Sequence, residues 1–208
     1  MMDKQEKLER YREANKTAQK GQILFAGSSL MEMFPVDKLL KERGIDITVY
    51  NRGIGGYVTA EMMEHLDVCV TDLMPRRLFI NIGTNDLSDP DVTPEVLEAR
   101  YEEIITAIEQ RVPGVGIYMM AYYPINYEAA EEHMKPCLLI RTNEKINAAN
   151  AMVERLAKRH GQKYIDVNRA LKDDQGRLKA EYTIEGMHIK EDGYRAIMDD
   201  LIPYITAD

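Results

Sequence analysis

Five short apolar runs punctuate the chain, at residues 22–26, 46–50, 77–82, 115–120 and 163–167. Each is rich in apolar and β-branched residues and is bounded by Gly, Pro or Asn, as strands buried on both faces are. Between them, apolar and polar positions follow a helical period near 30–43, 58–71, 94–111, 138–160 and 190–203. Strands alternating with helices in this way predict an α/β fold: a five-stranded parallel sheet with helices on both faces, joined by right-handed crossovers. Pro113-Gly114 closes one helix and Gly161 follows another. Residues 3–19 are polar, with only a weak stripe of Leu8, Tyr11 and Ala14, and predict an additional helix on the rim. The expected organisation is therefore an N-terminal helix over 1–20 packed on one domain over 21–208. The long irregular stretch at 122–137 holds Tyr122, Tyr123, Pro124, Tyr127 and Pro136. Loops of that length often serve as lids.

Composition narrows the function classes. A length of 208 residues with 45 % hydrophobic content suffices for a sizeable core. The formal net charge of -8 argues against nucleic acid or an anionic membrane surface as the main partner. No run approaches the roughly 18 apolar residues that a membrane span needs, and residues 1–21 are charged, without the apolar segment of a secretory signal. Cys69 and Cys137 show no metal-type spacing and read as free, buried thiols. These features together predict a reduced, cytoplasmic location. His65, His133 and His160 lie in helical or polar stretches and read as surface residues, with no clustering that suggests a metal site.

The chemistry-bearing residues sit at the ends of the predicted strands. Gly27-Ser28-Ser29 follows the first, Asn51-Arg52-Gly53-Ile54-Gly55-Gly56 the second and Gly83-Thr84-Asn85-Asp86 the third. In open α/β sheets this edge carries the ligand crevice. Glu185-Gly186-Met187-His188 lies far downstream, just before the last helix. A serine hydroxyl, an imidazole and a carboxylate form the set needed for nucleophilic acyl transfer. Each segment also has a plainer reading. Ser29-Leu30-Met31-Glu32 fits a capping box, S-x-x-E. Asn85-Asp86 fits a turn, and Glu185 fits a solvated loop carboxylate. The glycine-rich loop at 51–56 lacks the G-x-G-x-x-G order of a nucleotide cradle. Met31 stands where a G-x-S-x-G elbow would have its second glycine.

Taken in order, the four segments resemble the SGNH (GDSL) hydrolases, and in the Asn51–Gly56 block the platelet-activating-factor-acetylhydrolase-like branch. The first block, G-D-S, is matched by Gly27-Ser28-Ser29; the second-block glycine by Gly56; G-x-N-D by Gly83 to Asp86; and D-x-x-H by Glu185 to His188. Ser28 stands where the family has Asp, and Glu185 where its acid is usually Asp. The resemblance implies a three-layer, flavodoxin-like α/β/α fold and ester hydrolysis through an acyl-enzyme on Ser29. His188 would be the base and Glu185 the acid. Ser29 and Gly56 backbone N–H groups and the Asn85 side chain would hold the oxyanion. It implies no cofactor, no metal and a small-molecule ester as partner. Met31, Tyr57 and Tyr123 are expected to wall a compact acyl pocket. Tyr122, Tyr123 and Tyr127 could instead stack on a sugar, the reading of a carbohydrate O-deacetylase. A non-catalytic small-ligand-binding protein using the same crevice is the alternative from another class. Ser28 is a rival nucleophile.

Overall fold

The computed structural model describes residues 2–207. Its centre is a five-stranded parallel sheet of β1 (Ile23–Gly27), β2 (Val49–Asn51), β3 (Arg77–Asn81), β4 (Gly116–Met120) and β5 (Lys163–Ile165), in the order β2-β1-β3-β4-β5. Every apolar run of the sequence supplies one strand. The helices are α1 (Lys4–Asn15), α2 (Ser29–Glu32), α3 (Val36–Lys41), α4 (Thr59–Glu64), α5 (Leu66–Cys69), α6 (Pro94–Arg111), α7 (Lys135–Ile140), α8 (Asn143–Arg159) and α9 (Glu191–Thr206).

Three helices predicted as continuous are each broken in two. The residue before a proline is held out of the helical region, and Pro35 separates α2 from α3. His65, with ψ of 30°, interrupts α4 and α5. Arg141, with ψ of 81°, separates α7 from α8, where Thr142 caps the new helix by accepting from the Lys145 N–H.

Successive strand residues serve opposite faces. Leu24, Ala26, Leu78, Ile80, Ile117 and Met119 join one core, with residues of α4, α5, α6 and α8. Ile23, Phe25, Phe79, Tyr118 and Ile165 join the other, with residues of α2, α3 and α9. On this second face Phe25, Phe79 and Tyr118 are register partners and stack across three strands, with ring centroids 4.6 and 4.7 Å apart. The stack pins the register of the strands whose C-terminal ends carry the chemistry-bearing loops. Aromatic pairs of this kind contribute about 0.5–1.5 kcal/mol each beyond the area they bury. No helix among the described residues is long and apolar enough to cross a membrane.

Candidate active site

Ser29 is the first residue of α2, directly beyond β1. The helix cap is Ser28, and its side chain makes no capping bond. Ser29 is therefore one position too far along to cap, and its hydroxyl lies 2.9 Å from His188 Nε2. Glu32 does not turn back to the helix start, as a capping box requires. It accepts the Gly55 N–H at 2.6 Å and an ion pair from Lys7 at 2.7 Å. The S-x-x-E reading is corrected on both residues. Ser28 is buried and has no side-chain hydrogen bond to His188.

The other side of the imidazole is held just as closely. Glu185 Oε1 accepts from His188 Nδ1 at 2.7 Å and from the His188 backbone N–H at 3.0 Å. An ionised carboxylate only accepts, so the ring proton sits on Nδ1 and Nε2 offers its lone pair to the serine hydroxyl. Glu185 is only 7 % exposed, unlike the solvated carboxylate that the sequence also allowed.

Gly186 makes the turn between acid and base possible. Its φ is +102°, and a Cβ there would sit 2.6 Å from Ala130 Cβ. Thr183 Oγ1 accepts the Gly186 N–H at 2.7 Å, and the Ile184 N–H donates to the His188 carbonyl at 2.8 Å. The Asn126 N–H donates to the Gly186 carbonyl, also at 2.8 Å. The 122–137 stretch thus braces the acid–base turn from outside. Its first residues, through Asn126, are buried, so that part cannot move as a lid without unpacking the core.

Asn85 lies beyond β3. Its Nδ2 donates to the Tyr57 carbonyl at 2.9 Å and its Oδ1 accepts from Arg141 Nη2 at 2.8 Å, which leaves one amide N–H uncommitted. Neighbouring Asp86 is fully buried and accepts from the Thr59 N–H at 3.0 Å and its hydroxyl at 2.5 Å, fixing this loop to the start of α4. Gly56 has φ of +77°, and its N–H follows a loop pressed against the serine: a Cβ on Gly55 would stand 3.7 Å from Ser29 Cβ.

A cavity of about 960 Å³ opens over Ser29, His188 and Glu185. Its far wall is α1, which does much more than occupy the rim. Tyr11 Oη donates to the Gly53 carbonyl at 2.8 Å, Lys4 Nζ to the Gly56 carbonyl at 3.0 Å, and Lys7 holds Glu32. The Arg52 guanidinium lies 5.0 Å from the Tyr11 ring and 5.4 Å from the Tyr50 ring, binding the helix to the same loop. The contacts made by Lys4, Lys7 and Tyr11 join residues more than 20 positions apart, so no local pattern signals them. Apolar lining comes from Met2, Met33 and Ile184, three side chains left 40–48 % exposed.

The three residues expected to wall the acyl group are elsewhere. Met31, Tyr57 and Tyr123 are 0 %, 2 % and 1 % exposed and belong to the two cores. Two helical positions span about 200°, so Met31 points away from Ser29, whereas Met33, four positions on, returns to its side. Tyr122 and Tyr123 lie beyond the end of β4, where the alternation of the strand is broken, and are buried one in each core. Burial pushes the hydroxyls of Tyr57 and Tyr123 well above the usual tyrosine range, and both stay neutral.

The family model for GDSL-like lipase/acylhydrolase matches residues 35–196. A solved structure from Streptococcus pneumonia, described as that of a platelet activating factor, is 32 % identical, with a TM-score of 0.86 over 98 % of this chain and 92 % of that one. The rat platelet-activating factor acetylhydrolase IB subunit alpha2 is 22 % identical over 86 % of this chain and 73 % of its own length. The N-acylneuraminate cytidylyltransferase of Escherichia coli is 25 % identical over 86 % of this chain, which spans only 39 % of that protein.

Proposed function

The chain belongs to the GDSL-like lipase/acylhydrolase family, whose members act on esters, and we propose that it cleaves a carboxylic ester through an acyl-enzyme on Ser29. The observation that carries this reading is the unbroken relay from Glu185 Oε1 through His188 to Ser29 Oγ, at 2.7 and 2.9 Å. Ser29 Oγ attacks the substrate carbonyl while Nε2 takes its proton. The Glu185 carboxylate balances the imidazolium that forms. Negative charge on the carbonyl oxygen is met by the uncommitted Asn85 N–H and the backbone N–H groups of Ser29 and Gly56. As first residue of α2, Ser29 has no acceptor for its N–H within the helix. The imidazolium returns its proton to the leaving alcohol, and water releases the acid by the same path reversed.

Met2, Met33 and Ile184 favour an apolar acyl group lying along the cavity. Methionine adapts to more than one ligand shape, so this wall is less restrictive than the compact pocket expected from the sequence. Sugar stacking loses two of its three tyrosines to the core, which favours a simple ester over a carbohydrate O-acetyl group. A p-nitrophenyl ester series from acetate to octanoate tests the reading. Hydrolysis that vanishes in Ser29→Ala supports it, and a folded wild-type chain that cleaves none of the series contradicts it.

A further inference from the structure

Arg141 is a buried cation with no carboxylate in direct contact among the described residues, although the buried Asp86 acts on it from a distance. It is 3 % exposed and forms no ion pair among the described residues. Its Nε donates to Ser88 Oγ at 2.8 Å, its Nη2 to Asn85 Oδ1 at 2.8 Å, and its Nη1 touches Met187 Sδ. A guanidinium carries a large desolvation penalty in such surroundings, and neutral acceptors offset it less well than a carboxylate does. Burial accordingly lowers its proton affinity from the usual arginine range. Placement at the junction of α7 and α8 explains none of these three contacts, since each reaches another loop. Asn85 and Ser88 belong to the loop after β3, and Met187 lies between Glu185 and His188.

We propose that Arg141 is a positioning residue of the oxyanion site, orienting and polarising the Asn85 amide. This rests on the reading of Asn85 as an oxyanion donor. With Oδ1 held by the guanidinium, the amide cannot flip, and its NH₂ end stays on the side of the Tyr57 carbonyl. A cation on the carbonyl end also draws electron density through the amide, making the N–H at the other end a stronger donor. Contact with Met187 keeps the oxyanion loop and the acid–base turn in one frame. Arginine serves here because its planar fork reaches Asn85 and Ser88 together, which an ammonium cannot do with the same geometry.

The test is a double-mutant cycle on p-nitrophenyl butyrate with Arg141→Met, Asn85→Ala and the combined variant, each confirmed folded by thermal unfolding. Removing one oxyanion donor lowers kcat by about 10²–10³. Arg141→Met is expected to lower kcat by about 10–100-fold with KM unchanged within about twofold, since it weakens the same interaction without removing it. Because Arg141 acts through Asn85, the double variant should be no slower than Asn85→Ala alone. Losses that multiply, or a kcat for Arg141→Met within about twofold of wild type, would overturn the proposal and leave Arg141 a structural plug. If Arg141→Met does not fold, Arg141→Lys keeps the test decisive: it retains the charge, loses the fork, and should show the same non-additivity. Failure here is separable from failure of the esterase reading. An active wild type silenced by Ser29→Ala, with multiplying losses at 85 and 141, removes only the role of Arg141. A wild type with no esterase activity removes both.

Discussion

Replacing Glu185 by Gln removes one charge and little else. The amide keeps an oxygen that can accept both N–H groups of His188, now held at 2.7 and 3.0 Å, so the turn should survive. What is lost is the partner of the imidazolium. Two unit charges about 4 Å apart at an effective dielectric near 20 attract by about 4 kcal/mol. The histidine side chain is 24 % exposed against 9 % for the acid, so solvent screens part of this. A loss of about 2–4 kcal/mol corresponds to a fall in kcat of roughly 30-fold to 10³-fold. If the amide turns its NH₂ toward Nδ1, it imposes the wrong tautomer and the loss moves toward about 10⁴. Glu185→Asp keeps the charge but withdraws it by one methylene, and should fall between Gln and wild type. The assay is steady-state hydrolysis of p-nitrophenyl butyrate, with Glu181→Gln as an exposed carboxylate control on the same segment. The expected pattern is a large fall in kcat with little change in KM for the Gln variant. A kcat within about threefold of wild type would refute the reasoning and leave a Ser29–His188 pair acting without an acid.

Gly186→Ala should destabilise the chain by at least about 1 kcal/mol, because φ of +102° is strained for alanine and the methyl meets Ala130. Activity should fall with it as Glu185 and His188 are displaced; an unchanged melting temperature would contradict this. Tyr11→Phe loses the bond to the Gly53 carbonyl and should cost about 1 kcal/mol of stability, measured by denaturant unfolding. No shift in the transition midpoint would show that α1 rests on the loop without holding it. Burial pushes the Cys69 thiol up to about 12, so between pH 7 and 9 it stays protonated and unreactive. Native protein should therefore give at most one fast equivalent with a thiol reagent and two after unfolding, and two fast equivalents in the native state would contradict the burial.

The parts of the structure legible in the sequence are those written in local periodicity. A parallel sheet covered on both faces needs near-continuous apolar strands, and Ile23 to Ala26 or Leu78 to Ile82 can be little else. Asn85 follows an apolar run, whereas Glu185 and His188 stand out only through the order of the four blocks that resemble the SGNH pattern. Errors arose where the direction of a side chain mattered more than its position. Met31 reads as a wall residue because it is near Ser29 in sequence, although a two-residue helical step turns it into the core; the same rule applied to Met33 brings it to the cavity. The capping box failed by one residue, since the helix starts at Ser29 and not after it. Tyr123 does lie in irregular backbone beyond β4, but that backbone is buried, and its ring packs into a core and not into the crevice. Arg141, Lys4, Lys7 and Tyr11 act only through partners far away in the chain, which no local pattern records. A single arginine directly after the apolar run Cys137 to Ile140 is the one trace of the first of these.

The most direct test of the acyl-enzyme claim is the mass of the wild-type chain after brief exposure to a fluorophosphonate, followed by peptide mapping of the adduct. Activation of a serine by His188 and Glu185 should give one adduct per chain, on the peptide containing Ser29. Ser28→Ala should retain the label and Ser29→Ala should lose it while remaining folded. A label that persists in Ser29→Ala and vanishes in Ser28→Ala would contradict the assignment of the nucleophile. A folded wild-type chain that takes no label at all would contradict the nucleophilic serine itself.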